Sequence, residues 1–238
     1  MRIMLLGHTQ LSYEYLNHID SAFHSQEDGK IIALSAIRTC YSPGTPIDIV
    51  NNEGMKYFGK KATDGKGGSE ADRLIRHISN SGHTSTLEHI SFTFAVEGVS
   101  RSLLAQLTRH RHFSFSVQSQ RYVKFDSNSK AAGFDYISVP VKSKEEALVT
   151  YDKIMKEIQE SYDKLRSLGI PAEDARMVLP NGATCNLVLT GNLRSYLEFL
   201  GKRGDGTHAQ WEIKQFAEEI KSRIIKTEPW TEELFGGK

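Results

Sequence analysis

The chain has 238 residues and carries 30 Lys and Arg against 29 Asp and Glu, a formal charge of +1, with 39% apolar and 25% charged residues. This balance excludes a strongly basic nucleic-acid coat protein and an acidic disordered tail, and it is the composition of an ordinary globular protein. Two cysteines, Cys40 and Cys185, lie far apart in no C-x-x-C or Cys/His spacing, so they read as buried thiols in a reducing compartment.

Residues 1–6 read as a short strand. Their apolar run before Gly7 is too short for a signal-peptide core or a membrane span, and a cytoplasmic protein without membrane attachment is expected. A helix is expected over 11–19. Residues 29–40 suit a helix or a strand equally. The segment 51–69 is rich in Gly, Lys and Asp and reads as a mobile loop without an apolar stripe. A helix follows over 70–81, stopped at Gly82.

Ile90, Phe92, Phe94 and Val96 alternate with smaller residues, a strand pattern expected to end at Gly98. Val99, Leu103, Leu104 and Leu107 then recur at helical spacing. Residues 109–121 have no clear period. A long amphipathic helix is expected over 143–168, ending at Gly169. A short helix should start with Pro171 in its first turn and run to Met177. Cys185, Leu187 and Leu189 alternate as a strand, and Gly191 should turn the chain into a helix over 192–202. A last long helix is marked by Ala209, Ile213, Phe216, Ala217, Ile220 and Ile224, stopped before Pro229. With no repeat and no clean linker, 1–238 reads as one α+β domain, a small antiparallel or mixed sheet packed on long helices.

Chemistry concentrates in one window. Between Gly98 and Phe125 there is no Asp or Glu, while Arg101, Arg109, Arg111, Arg121, Lys124, His110 and His112 all fall there. Guanidinium forks match carboxylate and phosphate oxygens in a bidentate way. Because Phe113, Phe115, Val117 and Tyr122 interleave with them, some of these arginines should lie near buried surface and need an anionic partner. Ser114, Ser116 and Ser119 stand in no G-x-S-x-G elbow, which argues against a serine nucleophile. His83, His89, His110 and His112 match no H-E-x-x-H pattern beside so many cations, so no metal is expected. A single-strand-binding module could use the same cations with Phe113, Phe115 and Tyr122 as stacking platforms, but no RNP-like or KH-like signature accompanies them, and nucleic acid is not expected as a partner.

Arg109-His110-Arg111, then seven residues to Ser119, then Arg121, resembles the RHR-x7-S signature of the flavin-dependent thymidylate synthases. Gly82-His83-Thr84-Ser85 with Glu88-His89, then Arg176-Met177-Val178-Leu179-Pro180, Thr190-Gly191-Asn192-Leu193-Arg194 and His208-Ala209-Gln210-Trp211-Glu212-Ile213, are similar to further blocks of that family in the same order. The resemblance implies a homotetramer with active sites shared between subunits. It implies FAD as hydride carrier, NADPH as reductant, 5,10-methylenetetrahydrofolate as carbon donor, and dUMP methylated to dTMP without an enzymatic cysteine nucleophile.

The same resemblance implies roles for individual residues. Arg109, His110, Arg111 and His112 would hold FAD, with Ser85 and Glu88 from another subunit. Asn192, Arg194, Glu198 and His208 would lie against the same cofactor. Gln106, one helical turn before Arg109, would face dUMP with it; Val117, Gln118, Ser119, Gln120, Arg121 and Arg176 would complete that site. His83 would seat the folate, and Arg203 would be catalytic, contacting the uracil ring. Three places depart from the family pattern. Val117 stands where Glu or Gln is common, Glu198 stands where a neutral or basic side chain is usual, and Gly204-Asp205-Gly206-Thr207 makes the link from Arg203 to His208 one residue longer.

Overall fold

Alternating large apolar and small polar side chains set the strands. In a computed structural model, which describes residues 1–140 and 145–236, β1 (Arg2–His8), β2 (Ser91–Ser100), β3 (Ser114–Val117) and β4 (Thr184–Asn192) form one antiparallel sheet in the order β1-β2-β4-β3. Phe92, Phe94, Val96, Cys185, Leu187 and Leu189 point to its buried face, as a period of two requires. The strand does not end at Gly98: β2 runs on to Ser100, with Gly98 at φ +66° and its N–H donating to the Asn186 side chain at 3.0 Å. Gly191 likewise lies inside β4 rather than turning the chain.

The chain divides into two compact units, one of Met1–Met4 with Phe94–Leu189, the other of Leu5–Thr93 with Thr190–Lys238. In the first, β2 passes directly into α5 (Arg101–Leu107), where Ser100 caps the helix by accepting the Leu103 N–H. Val99, expected in the helix, is the penultimate strand residue. The long α6 (Glu145–Ser167) buries Met155 and Tyr162; residues 143 and 144 of the expected helix lie outside the described residues. Tyr162 packs with Phe125 and Ala175. Pro171 caps α7 (Ala172–Ala175) rather than entering its first turn, and a 3₁₀ turn, Arg176–Val178, continues it.

In the second unit, α1 (Tyr13–His18) leads to α2 (Asp28–Tyr41), which resolves the ambiguity of 29–40 in favour of helix and buries Ile31, Ala33, Leu34 and Ile37. The segment 51–69 is not a loop throughout. α3 (Ile49–Tyr57) occupies its first part, burying Ile49, Val50, Gly54 and Tyr57 against α2. The apolar face begins at Ile49, ahead of the glycine-rich stretch, and its middle contact is a glycine that receives the Phe23 ring: a Cβ at Gly54 would meet Phe23 Cζ at 2.5 Å. The second part is tied down by a bridge between Lys61 and Ser69 and by the buried Arg76, whose guanidinium donates to both oxygens of Asp64 at 2.9 Å and to Glu233 at 2.6 Å. Ser69 and Asp72 form a reciprocal capping box at the start of α4 (Glu70–Asn80).

At the other end of this unit, Asn192 caps α8 (Leu193–Arg203) by accepting the Ser195 N–H, and α9 (Trp211–Thr227) packs on α8 through Phe199 and Phe216, whose rings meet edge to face at 5.8 Å. Ala209 precedes this helix. α10 (Glu232–Phe235) packs against α4 and α8. Cys185 is buried, but Cys40 is exposed, contrary to the expectation of two buried thiols.

Candidate active site

In the first unit, the Arg109-His110-Arg111-His112 run forms the tight connection between α5 and β3. The helix ends at Leu107, and backbone bonds from His110 N–H to Leu107 O (3.0 Å) and from Phe113 N–H to His110 O (3.3 Å) fold the chain over on itself. Arg109 is therefore beyond the helix, so it does not share a helical face with the half-buried Gln106. Phe113 turns inward, 7% exposed, while Arg109, Arg111 and His112 turn out to solvent. Of the arginines in this window, Arg101 does lie against buried surface, half-buried with its Nε enclosed, but Arg109, Arg111 and Arg121 stay outside while the apolar side chains sort themselves, and Tyr122 is 79% exposed. Among the described residues, neither Arg109 nor Arg111 forms an ion pair. Two guanidinium forks left without a carboxylate on one short turn present donors of the kind that phosphate oxygens accept.

β3, like α3, is an element that sequence reasoning missed. It orders the segment after the arginine turn, and Gln118 continues it with its N–H on Asn186 O at 2.8 Å. The carbonyl of Gln118 accepts from Arg101 at 2.8 Å, so this backbone is held from both sides. Val117 is half-buried at the strand end. Ser119, Gln120 and Arg121 then form a turn in which Ser119 Oγ accepts the Arg121 N–H at 3.2 Å. Arg121 reaches Glu173 at 3.2 Å, and Arg176 donates from Nε to the Glu173 carbonyl at 2.9 Å. The structure therefore brings Arg121 and Arg176 to one residue of α7, with Ser119 bonded to the backbone of Arg121. Glu173 was not foreseen; it lies 52 residues from Arg121 with no motif linking the two.

In the second unit, Ser85 and Glu88 ride on a 3₁₀ helix, Thr84–His89, anchored by buried Thr86 and Leu87, which leaves Ser85 and Glu88 exposed. His83, just before it, is 2.9 Å from the Tyr41 hydroxyl through Nδ1, with the two rings edge to face at 5.9 Å. This partner, too, carries no sequence signal. Arg194, on the first turn of α8, is held by Glu88 at 2.5 Å and by Glu198, one turn on, at 3.3 Å. The hydrogen bond that Arg194 donates to Glu88, aided by both carboxylate charges, raises the affinity of the guanidinium for its proton. Glu198 thus acts first as a partner of Arg194. Asn192 gives its side-chain oxygen to the helix cap, accepting both the N–H and the hydroxyl of Ser195. Arg203 ends α8, half-buried, and His208 lies exposed beyond the 204–207 turn.

In each unit of this α+β protein the cations of the expected site are exposed or lightly paired, and guanidinium donors of this kind match carboxylate and phosphate oxygens. The sequence pattern described as thymidylate synthase complementing protein matches residues 23–230, and the chain belongs to that family. It is similar to proteins named flavin-dependent thymidylate synthase: 35% identical over 217 residues to one from Clostridium tetani, covering 84% of this chain and 79% of the relative. Another, from Geobacter sulfurreducens, is 37% identical over 205 residues, covering 85% of this chain and 79% of the relative. A third, from Haloarcula marismortui, is 40% identical over 170 residues, covering 63% and 68%.

Proposed function

We propose that this protein is a flavin-dependent thymidylate synthase, converting dUMP to dTMP with 5,10-methylenetetrahydrofolate as carbon donor and NADPH as reductant. The observation that carries this reading is the solvent-facing Arg109-His110-Arg111 turn, its two arginines without an acidic partner among the described residues, in a chain of this family. When bound, FAD supplies the hydride. Arg109, His110, Arg111 and His112 neutralise its diphosphate, and Ser85, Glu88, Asn192, Arg194, Glu198 and His208 line the remainder, contributed by a different subunit of a homotetramer. His83, with its ring fixed by Tyr41, seats the folate.

Ser119, Arg121 and Arg176, with Gln106, Arg109, Val117, Gln118 and Gln120, hold dUMP, the phosphate taking the place of the Glu173 carboxylate at Arg121. Arg203 donates to the uracil ring and stabilises negative charge as the N3–C4 amide is polarised, an effect that strengthens where water is excluded. Residues 1–238 serve as a single synthase domain in the cytoplasm. Among the described residues no helix is long and apolar enough to cross a membrane.

The test is direct. Purified protein should show oxidised-flavin absorbance and, under anaerobic conditions, form dTMP from dUMP, folate donor and NADPH. Arg203→Ala should keep the flavin and lose roughly 10²-fold or more in kcat. Protein that binds no FAD and forms no dTMP would refute the assignment, and an unchanged rate in Arg203→Ala would remove that residue from the chemistry.

A further inference from the structure

The link between Arg203 and His208 is not a slack insertion. Arg203 is the last residue of α8, and the next residue, Gly204, caps the helix with its N–H on Leu200 O at 2.8 Å. The following N–H, of Asp205, donates to Glu218 Oε1 on α9 at 3.0 Å. A Cβ built on Gly204 would lie 2.8 Å from Leu200 O, in the last turn of α8 itself, and 2.9 Å from the same Glu218 oxygen, so the end of α8 requires the glycine and the Glu218 carboxylate packs against it. Gly206 turns the chain at φ +81°, and the Thr207 hydroxyl donates to Gly204 O at 2.8 Å while accepting the Ala209 N–H at 3.3 Å. The other Glu218 oxygen meets Lys221 at 3.5 Å, which keeps the carboxylate on this side of α9. α9 is itself fixed to α8 by the Phe199–Phe216 contact.

We propose that Glu218 is a positioning residue for Arg203. Its carboxylate latches the first residue pair after the catalytic guanidinium to α9, and so sets both the direction in which α8 ends and the point at which His208 is delivered. The inference rests on the reading of Arg203 as catalytic. Misplacement of a reacting group by about 1 Å costs on the order of 10²-fold in rate, so a lost latch should be visible in turnover.

The experiment uses the FAD-loaded enzyme. Glu218→Ala removes the acceptor, whereas Glu218→Gln keeps an oxygen for the Asp205 N–H and loses only the charge. The expected result is a kcat about 10-fold lower in Glu218→Ala, with KM for dUMP within about twofold, flavin absorbance and melting temperature retained, and Glu218→Gln within about threefold of the parent. Hydrogen exchange at the Asp205 amide should quicken in Glu218→Ala and not in Glu218→Gln. Glu218→Ser, whose side chain is too short to reach the Asp205 N–H, should reproduce the loss of kcat, and it serves as the probe if Glu218→Ala fails to fold.

In an Arg203→Ala background the Glu218→Ala change should add nothing; a full additional loss there would show that Glu218 acts elsewhere and overturn the proposal. Equal impairment of the Ala and Gln variants, or a Glu218→Ala kcat within about twofold of the parent while Arg203→Ala is crippled, would also overturn it. An Arg203→Ala enzyme of full activity would instead sink the reading of Arg203 itself, together with any latch that works through it.

Discussion

Glu228 offers the sharpest test of how the second unit is held together. It is 1% exposed, and its carboxylate accepts the Gly29 backbone N–H at 3.1 Å and the Trp230 indole N–H at 2.5 Å. The fit is tight: a Cβ on Gly29 would lie 2.8 Å from the carboxylate carbon and both oxygens. Replacing Glu228 with Ala leaves the buried Gly29 N–H, worth about 1–3 kcal/mol, and the half-buried Trp230 indole N–H without acceptors, and opens a cavity. Relief of the desolvated carboxylate offsets part of this, so a net loss of about 2–4 kcal/mol is expected. That corresponds to a fall in melting temperature of roughly 5–15 °C for a chain of this size.

Burial, the largest influence, pushes the Glu228 carboxyl above its ordinary range; the Trp230 and Gly29 hydrogen bonds and His8 pull the other way without reversing it. The sign follows. The folded state holds this proton more tightly than the unfolded state, so the contribution is complete below the ordinary glutamate pKa and is lost as pH rises through the raised folded value. Glu228→Gln mimics the protonated form, so it should melt close to the parent at pH 4 and gain on it as pH rises, read by thermal or urea unfolding across pH. A Glu228→Ala protein within about 0.5 kcal/mol of the parent would refute the role given to this carboxylate, and a parent-minus-Gln difference that is flat with pH would refute the sign.

Three further outcomes are expected. Arg111→Ala should weaken FAD binding by about 10-fold or more, read by flavin fluorescence titration, without lowering the melting temperature of the flavin-free protein, because the side chain is exposed. Glu173→Gln should tighten dUMP binding by about two- to threefold in KM, since it removes the carboxylate that competes for Arg121; weaker binding would show that Glu173 orients the guanidinium instead. Asp72→Asn should cost about 1 kcal/mol at neutral pH. Burial raises the Asp72 carboxyl, but the Ser69 N–H and hydroxyl and Lys30 outweigh it and hold it low, so its contribution is present above the ordinary aspartate range and lost as pH falls through the lowered value. The gap between parent and variant should therefore close in acid.

Where periodicity was strong, the elements were readable: the alternation over 90–96 and the 3–4 rhythm of α6 appear at their expected places. α3 escaped because its buried face starts at Ile49, just before the glycine-rich stretch, and uses Gly54 as a contact, which no hydrophobicity count registers. β3 escaped because Ser-Phe-Ser-Val is too short to establish a period between arginines and glutamines. The pairings that tune the candidate site were beyond reach for a different reason. Tyr41 with His83, Glu173 with Arg121, and Glu88 with Arg194 are separated by 42, 52 and 106 residues, and only the folded chain brings each pair together.

Two of those pairings are also weak enough to be exchanged for an incoming anion. Arg121 and Glu173 are 53% and 49% exposed in their side chains, and Arg194 and Glu88 are 41% and 43% exposed. Ion pairs this wet contribute about 0–1 kcal/mol, enough to order a side chain and too little to resist a phosphate that brings more charge and more acceptor oxygens. The deeply set pairs are of another kind. Arg76 is 8% exposed and grips two carboxylates, and breaking such a contact leaves a charge stranded near apolar packing. Arginine thus appears in two grades in one chain. The buried grade ties α4 to the turn at Asp64 and to α10, whereas the exposed grade stays exchangeable, which is what a guanidinium must be if it is to trade an internal carboxylate for an incoming phosphate.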